Sequence, residues 1–163
     1  MKIIVLFGLP GAGKSYIGDL LQSDFGFYHY DGDCSLPKIM KQAIFKKLPI
    51  DDSMRNLFFK RLTQKTKKLS KNYKNLVISQ TFIKEKYREH FLNQIPNTQF
   101  IFIKANKSVR ERRLLARLEY PLDIKYSQKM TTIFEKPKIN YKQIINNTDG
   151  EKELKLKLQK ILN

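Results

Sequence analysis

The sequence predicts a three-layer α/β fold in which a mostly parallel sheet carries helices on both faces. Three observations support it. Four short runs, Lys2 to Phe7, Leu76 to Ser79, Gln99 to Lys104 and Gln143 to Asn146, are rich in Ile, Val and Phe and show no polar alternation, as strands covered on both faces do. Longer amphipathic stretches separate these runs, the pattern of alternating strands and helices. A glycine-rich segment stands directly after the first run and directly before the first helical pattern. The length of 163 residues suits a single domain, 1–163, with a full core, and no linker, repeat or low-complexity tail divides it.

In chain order, Lys2 to Phe7 is the first central strand, and the helix after it spans about Lys14 to Asp24. Phe27 to Tyr30 is short and aromatic, a fifth strand of the same sheet. Within a helix from about Ser53 to Ser70, Met54, Phe58, Leu62 and Leu69 recur at helical spacing, so one face packs while Lys60, Lys67 and Lys71 project into water. Leu76 to Ser79 is the next buried strand, and it runs into Ser79-Gln80-Thr81 without an acidic residue. Helices at about Lys84 to Asn93, Ser108 to Arg117 and Glu151 to Leu162 alternate with the strands Gln99 to Lys104 and Gln143 to Asn146.

Lys plus Arg total 32 against 15 Asp plus Glu, a formal net charge of +17, which raises the local concentration of any polyanion. Lysine supplies 25 of the 32, whereas nucleic-acid readers lean on Arg, whose planar fork matches phosphates and base edges. Composition and solubility therefore account for most of the excess. Hydrophobic residues at 41% exclude wholesale disorder, and no apolar run reaches the roughly 18 residues of a membrane span. The apolar start is too short for a signal-peptide core. Cys34 is the single cysteine, and His29 and His90 give no zinc spacing. A soluble protein in a reducing cytoplasmic setting, monomer or homodimer and without a membrane partner, is expected.

Gly8-Leu9-Pro10-Gly11-Ala12-Gly13-Lys14-Ser15 matches G-x-x-x-x-G-K-[ST] in the strand-to-helix context that this motif requires. Backbone N–H groups of such a loop close around phosphates, and the helix behind it presents its positive N-terminus to them. Lys14 would neutralise phosphoryl charge, and Ser15 would place its hydroxyl on Mg²⁺. A GTPase would need D-x-x-G and N-K-x-D motifs; Asn106-Lys107-Ser108-Val109 begins like the second but lacks its aspartate. Carboxylates follow the second strand instead, in Tyr30-Asp31-Gly32-Asp33. Along extended chain, residues i and i+2 point the same way, so Asp31 and Asp33 are expected to face one site. One would hold a metal-bound water while the other orients and deprotonates an acceptor hydroxyl.

With these parts in place, the chain resembles the compact P-loop kinases of small molecules, most closely the gluconate kinases, with shikimate kinases nearer than nucleotide kinases. The resemblance rests on Gly8 to Ser15, Asp31-Gly32-Asp33, Leu48-Pro49-Ile50-Asp51-Asp52-Ser53-Met54-Arg55, Val77 to Arg88, Glu111-Arg112-Arg113-Leu114-Leu115-Ala116-Arg117 and Gln128 to Pro137. It implies an NMP-kinase-like P-loop fold, five parallel strands in the order 2-3-1-4-5, a substrate-binding helical region at about 34–74 and a short lid at about 118–129. The implied activity is transfer of the γ-phosphoryl of Mg-ATP to a sugar-acid hydroxyl.

Site roles follow from the resemblance residue by residue. Gly8, Leu9, Pro10, Gly11, Ala12, Gly13, Lys14, Ser15 and Tyr16 would bind ATP, with Ser15 and Asp31 on Mg²⁺ and Asp33 as base. Asp31, Asp33, Arg55, Thr81 and Lys84 would line the acceptor side, where Arg55 would grip a carboxylate bidentately. Arg113 would pack against adenine, Asn147 to Gly150 would border it, and Arg117 would swing onto the phosphates from the lid. Arg88 is left outside the site, and His29 is assigned to its strand. Two positions set this chain apart: Leu36 stands where gluconate kinases carry a histidine, and Ser79-Gln80-Thr81 stands where shikimate kinases carry a glycine triplet.

Two other readings belong to different classes. From Ser53 to Lys84 there is no acidic residue, while Arg55, Lys60, Arg61, Lys65, Lys67, Lys68, Lys71, Lys74 and Lys84 are basic. That stripe suits a nucleoside or polynucleotide 5′-hydroxyl kinase, although no alternating Phe/Tyr platform for stacking bases accompanies it. An accessory protein that binds ATP without catalysis is the other.

Overall fold

The computed structural model describes residues 1–116, 124–148 and 150–162. Five strands, β1 (Lys2–Phe7), β2 (Tyr28–Asp31), β3 (Asn75–Ser79), β4 (Thr98–Lys104) and β5 (Tyr141–Ile145), form one sheet in the order β2-β3-β1-β4-β5. Every pairing is parallel, and the order is the one the resemblance implies. Alternation along β1 builds two cores at once. Ile3, Val5 and Phe7 join one cluster and Ile4 and Leu6 the other.

Helices α1 (Lys14–Phe25) and α7 (Glu151–Leu162) cover one face, where Ile17, Leu20, Leu21, Leu154 and Leu158 meet Val77, Ile101, Ile103 and Ile144. On the opposite face α3 (Asp52–Asn72) and α4 (Glu85–Gln94) set Phe58, Phe59, Leu62, Leu69, Tyr87 and Phe91 against Leu76, Ile78 and Phe100. Asp51 starts α3 by accepting from the Met54 N–H at 2.8 Å. Two short helices, α2 (Lys38–Phe45) and α6 (Ile124–Ile133), are not among those the helical spacing predicts, although α2 falls within the helical region at about 34–74 that the resemblance implies. The first has eight residues, and the second carries Thr131, Thr132 and Ile133, which are weak helix formers. Between them in sequence lies α5 (Lys107–Leu115). Arg117 and residues 118–123 of the expected lid lie outside the described residues. Among the described residues, no helix is long and apolar enough to cross a membrane.

One buried ion pair anchors the connection from β3 to α4. Arg88 is fully buried. Its Nε donates to the Phe82 carbonyl at 2.9 Å, and its Nη2 donates to the carbonyls of Ile83 and Glu135 at 3.0 and 2.9 Å. Its Nη1 meets Glu85 Oε2 at 2.6 Å. Glu85 Oε1 accepts in turn from the N–H groups of Lys138 and Ile139. The clamp holds Phe82 at φ +46°, a left-handed conformation that costs a bulky residue about 1–3 kcal/mol.

Burial pushes the Glu85 carboxyl up, but the hydrogen bonds from Arg88, Lys138 and Ile139 outweigh it and hold the group below its ordinary value. Its contribution is therefore full above the unfolded-state pKa and is lost as pH falls through the depressed folded value. Glu85→Gln leaves Arg88 buried without a carboxylate, so a loss of about 3–5 kcal/mol is expected. Urea midpoints followed from neutral into acid conditions should fall for the native chain and fall less steeply for the variant. Equal slopes would remove Glu85 as an acid-labile contact.

Candidate functional site

The C-terminal ends of β1, β2 and β3 open onto a cleft of about 200 Å³, lined among others by Lys14, Ser15, Asp31, Asp33, Arg55 and Thr81. Open α/β sheets place their ligands at such strand ends. The loop from β1 enters α1 through Gly13, at φ +94°, where a Cβ would lie 2.4 Å from the Asn146 amide nitrogen. Glycine is required there by both backbone and space. Lys14 Nζ folds back over the loop and donates to the carbonyls of Gly8 and Leu9 at 2.9 and 3.0 Å. Arg110 packs beneath it at 6% exposure, where its Nε finds no hydrogen-bond partner.

Asp31 and Asp33 line this one cleft by a different geometry from the extended chain expected. Asp31 ends β2, and Gly32–Ser35 form a 3-10 turn. The Asp31 carboxylate caps that turn by accepting from the Asp33 N–H at 3.0 Å. Gln80 then aims Asp33, its Nε2 donating to Asp33 Oδ1 at 2.9 Å, while its Oε1 accepts from the Thr81 N–H at 2.6 Å. Gln80 is 8% exposed, so this orienting amide is held in place.

On the acceptor side, Arg55 leans from the first turn of α3 and donates from Nη1 to the Ile50 carbonyl. Tyr126 of α6 lines the same cleft. Burial pushes its phenol up, the Asp33 charge adds to this and Arg55 opposes it; the hydroxyl stays protonated and able to donate. Lys84 is not among the lining residues, and its ammonium lies 3.3 Å from Asp52 Oδ1.

The loop after β5 borders the glycine-rich segment through Asn146, one residue before the stretch read from sequence. Asn146 is 4% exposed and donates from Nδ2 to the Ala12 carbonyl at 2.9 Å. Arg113 Nη1 donates to the Asn146 carbonyl at 3.0 Å, and its Nη2 to that of Thr148 at 3.4 Å. Asn147 accepts from the Asn106 N–H at 2.8 Å. Tyr16 is exposed, its hydroxyl donating to Glu151 at 3.4 Å. Gln80, Tyr126 and Asn146 carry no motif of their own. A buried amide at a strand end reads as ordinary polar sequence until neighbouring strands are placed.

No family model matches the chain. It is 28% identical over 115 residues to the thermoresistant gluconokinase of Escherichia coli, 71% of this chain and 66% of that relative. The probable gluconokinase of Dictyostelium discoideum is 24% identical over 141 residues, 83% of this chain and 70% of the relative. Among solved structures, an unliganded sugar kinase from a Janibacter species superposes with a TM-score of 0.85 at 16% identity, covering 99% of this chain and 94% of that one. A gluconokinase from Sinorhizobium meliloti gives 0.79 at 20% identity over 98% and 93%. The fold is the NMP-kinase-like P-loop fold, and in sequence the chain is similar to gluconokinases.

Proposed function

We propose that this chain is a small-molecule kinase that moves the γ-phosphoryl of ATP onto a hydroxyl of a small anionic acceptor, with gluconate or a related sugar acid as the first substrate. The observation that carries the reading is the meeting, in one cleft, of the P-loop cation Lys14, the Gln80-oriented carboxylate of Asp33 and the guanidinium of Arg55. The similarity to gluconokinases supports it from the sequence side.

Lys14 would bind the transferring phosphoryl group, and Asp33 would take the acceptor proton at its carboxylate. Arg55 would hold the acceptor's own carboxylate, and Tyr126 would donate across the same space. Ser15 and Asp31 offer the one or two protein oxygens that Mg²⁺ takes beside phosphates and waters. When bound, that ion would neutralise charge building on the β- and γ-phosphates. Catalysis then rests on positioning and charge, with no covalent step on the protein.

The polynucleotide reading draws no support from the cleft. The α3 cations splay onto two other grooves, Lys60 and Lys67 with Lys86 and His90 on one side, and Arg61, Lys65 and Lys68 with Tyr30 on the other. A coupled ADP-release assay over sugar acids, shikimate, nucleosides and 5′-hydroxyl oligonucleotides separates the readings. Acceptor-dependent release is expected with a sugar acid; release with oligonucleotides alone would replace the proposal. In the same assay Arg55→Ala should raise KM for the acid acceptor about 10- to 100-fold, the worth of a charged hydrogen bond, and leave KM for ATP unchanged. An unchanged acceptor KM would take Arg55 off the substrate.

A further inference from the structure

P-loop proteins commonly place an acid at the end of the strand beside the phosphate loop, where it supports the metal. Here β3 ends in Ser79, which is 2% exposed and lines the cleft with Lys14, Ser15 and Asp31. Its Oγ lies 2.9 Å from His29 Nε2. His29 Nδ1 in turn lies 2.8 Å from Asp19 Oδ1. The chain of contacts thus crosses β3, β2 and α1, from the cleft to an Asp19 side chain that is 69% exposed.

The space for it is reserved. A Cβ on Gly18 would fall 2.3 Å from His29 Nε2, so only glycine lets the ring lie against α1. Gly18 sits inside that helix, where glycine costs up to about 1 kcal/mol relative to alanine. The imidazole side chain is 8% exposed. A ring merely filling the strand face needs neither the carboxylate behind it nor the hydroxyl in front.

For a neutral imidazole the contacts set the direction of each bond: a carboxylate only accepts, so Nδ1 carries the hydrogen and Nε2 is left as an acceptor. The Ser79 hydroxyl must therefore donate to Nε2, which leaves its oxygen lone pairs and no proton for the cleft. Each link polarises the next and adds negative character at that oxygen. The order of atoms is that of a nucleophilic triad, but Ser79 as a residue is only 2% exposed, too buried to attack a carbonyl.

We infer that Ser79 replaces the usual strand-end carboxylate as the acceptor facing the metal side of the nucleotide site, with His29 and Asp19 as positioning residues that lock its hydroxyl in the accepting orientation. This rests on the phosphoryl-transfer reading. It is tested by titrating Mn²⁺ into the protein with a non-hydrolysable ATP analogue and following the free-ion signal by electron paramagnetic resonance. Ser79→Ala should weaken Mn²⁺ binding about 10-fold or more, the usual effect of losing an outer-shell partner. Asp19→Ala, at a side chain that is 69% exposed, should weaken it in the same direction. Binding of the analogue without metal should match the native protein in both. Native affinity for Mn²⁺ in both variants would overturn this inference alone, whereas a native protein that fails to hold Mn²⁺ with the analogue would overturn the kinase reading as well.

Discussion

Lys14→Ala should lower turnover about 1,000-fold, the scale for removing a preorganised charge aimed at a transferring group. The fold should survive the change. Lys14 Nζ contributes hydrogen bonds to the Gly8 and Leu9 carbonyls, each worth about 1 kcal/mol, and Lys14 itself is half-buried at the cleft, where water can replace them. Heat and urea midpoints are thus expected to move little while ATP binding by calorimetry weakens sharply. Lys14→Arg should not rescue, because a planar fork cannot take the place of a compact ammonium over a tight loop. Retained turnover in Lys14→Ala would place the phosphates elsewhere.

The second large effect belongs to Asp33. In Asp33→Asn the side chain keeps its shape and an oxygen that can accept from Gln80 Nε2, as Asp33 Oδ1 does at 2.9 Å. What it loses is the capacity to take a proton. Turnover is expected to drop about 10²- to 10⁴-fold, with ATP affinity unchanged, since the contacts of Lys14 and Ser15 are untouched. Steady-state kinetics with ATP and acceptor varied separately would show this as a fall in kcat. Full activity in the variant would remove Asp33 as the base. Gln80→Ala offers a graded version: it removes the amide that orients Asp33 without changing the carboxylate's chemistry, and a loss smaller than that of Asp33→Asn is expected.

Much of this architecture was legible in the residues, because burial on both faces writes an uninterrupted apolar run. Ile3-Ile4-Val5-Leu6-Phe7 marked β1 to the residue, and β3 and β4 came within a residue at either end. At the sheet's edge the signal fades. Only Ile144 is buried in β5, so the polar Tyr141 and Lys142 hid its start. Short α2 and β-branched α6 fell below what periodicity can detect. The P-loop was legible because a tight turn around phosphates admits few residue types, and Gly13 cannot carry a side chain beside Asn146.

The cleft's polar supports were less legible, since each depends on a neighbour distant in sequence. Gln80 matters through Asp33, 47 residues away, and His29 through Ser79, 50 residues away. Asp31 and Asp33 were found together for the wrong geometric reason, as the chain turns after Asp31. Arg88, set aside as outside the site, works beneath it by holding the backbone of Phe82 and Ile83.

The central claim is that this cleft transfers a phosphoryl group to a small acceptor. Phosphorus-31 resonance of the purified protein with Mg-ATP and gluconate tests it directly. The expected result is a new phosphomonoester signal growing in step with ADP and absent without the acid. ADP with inorganic phosphate alone for every small acceptor tried, or transfer confined to 5′-hydroxyl oligonucleotides, would contradict it.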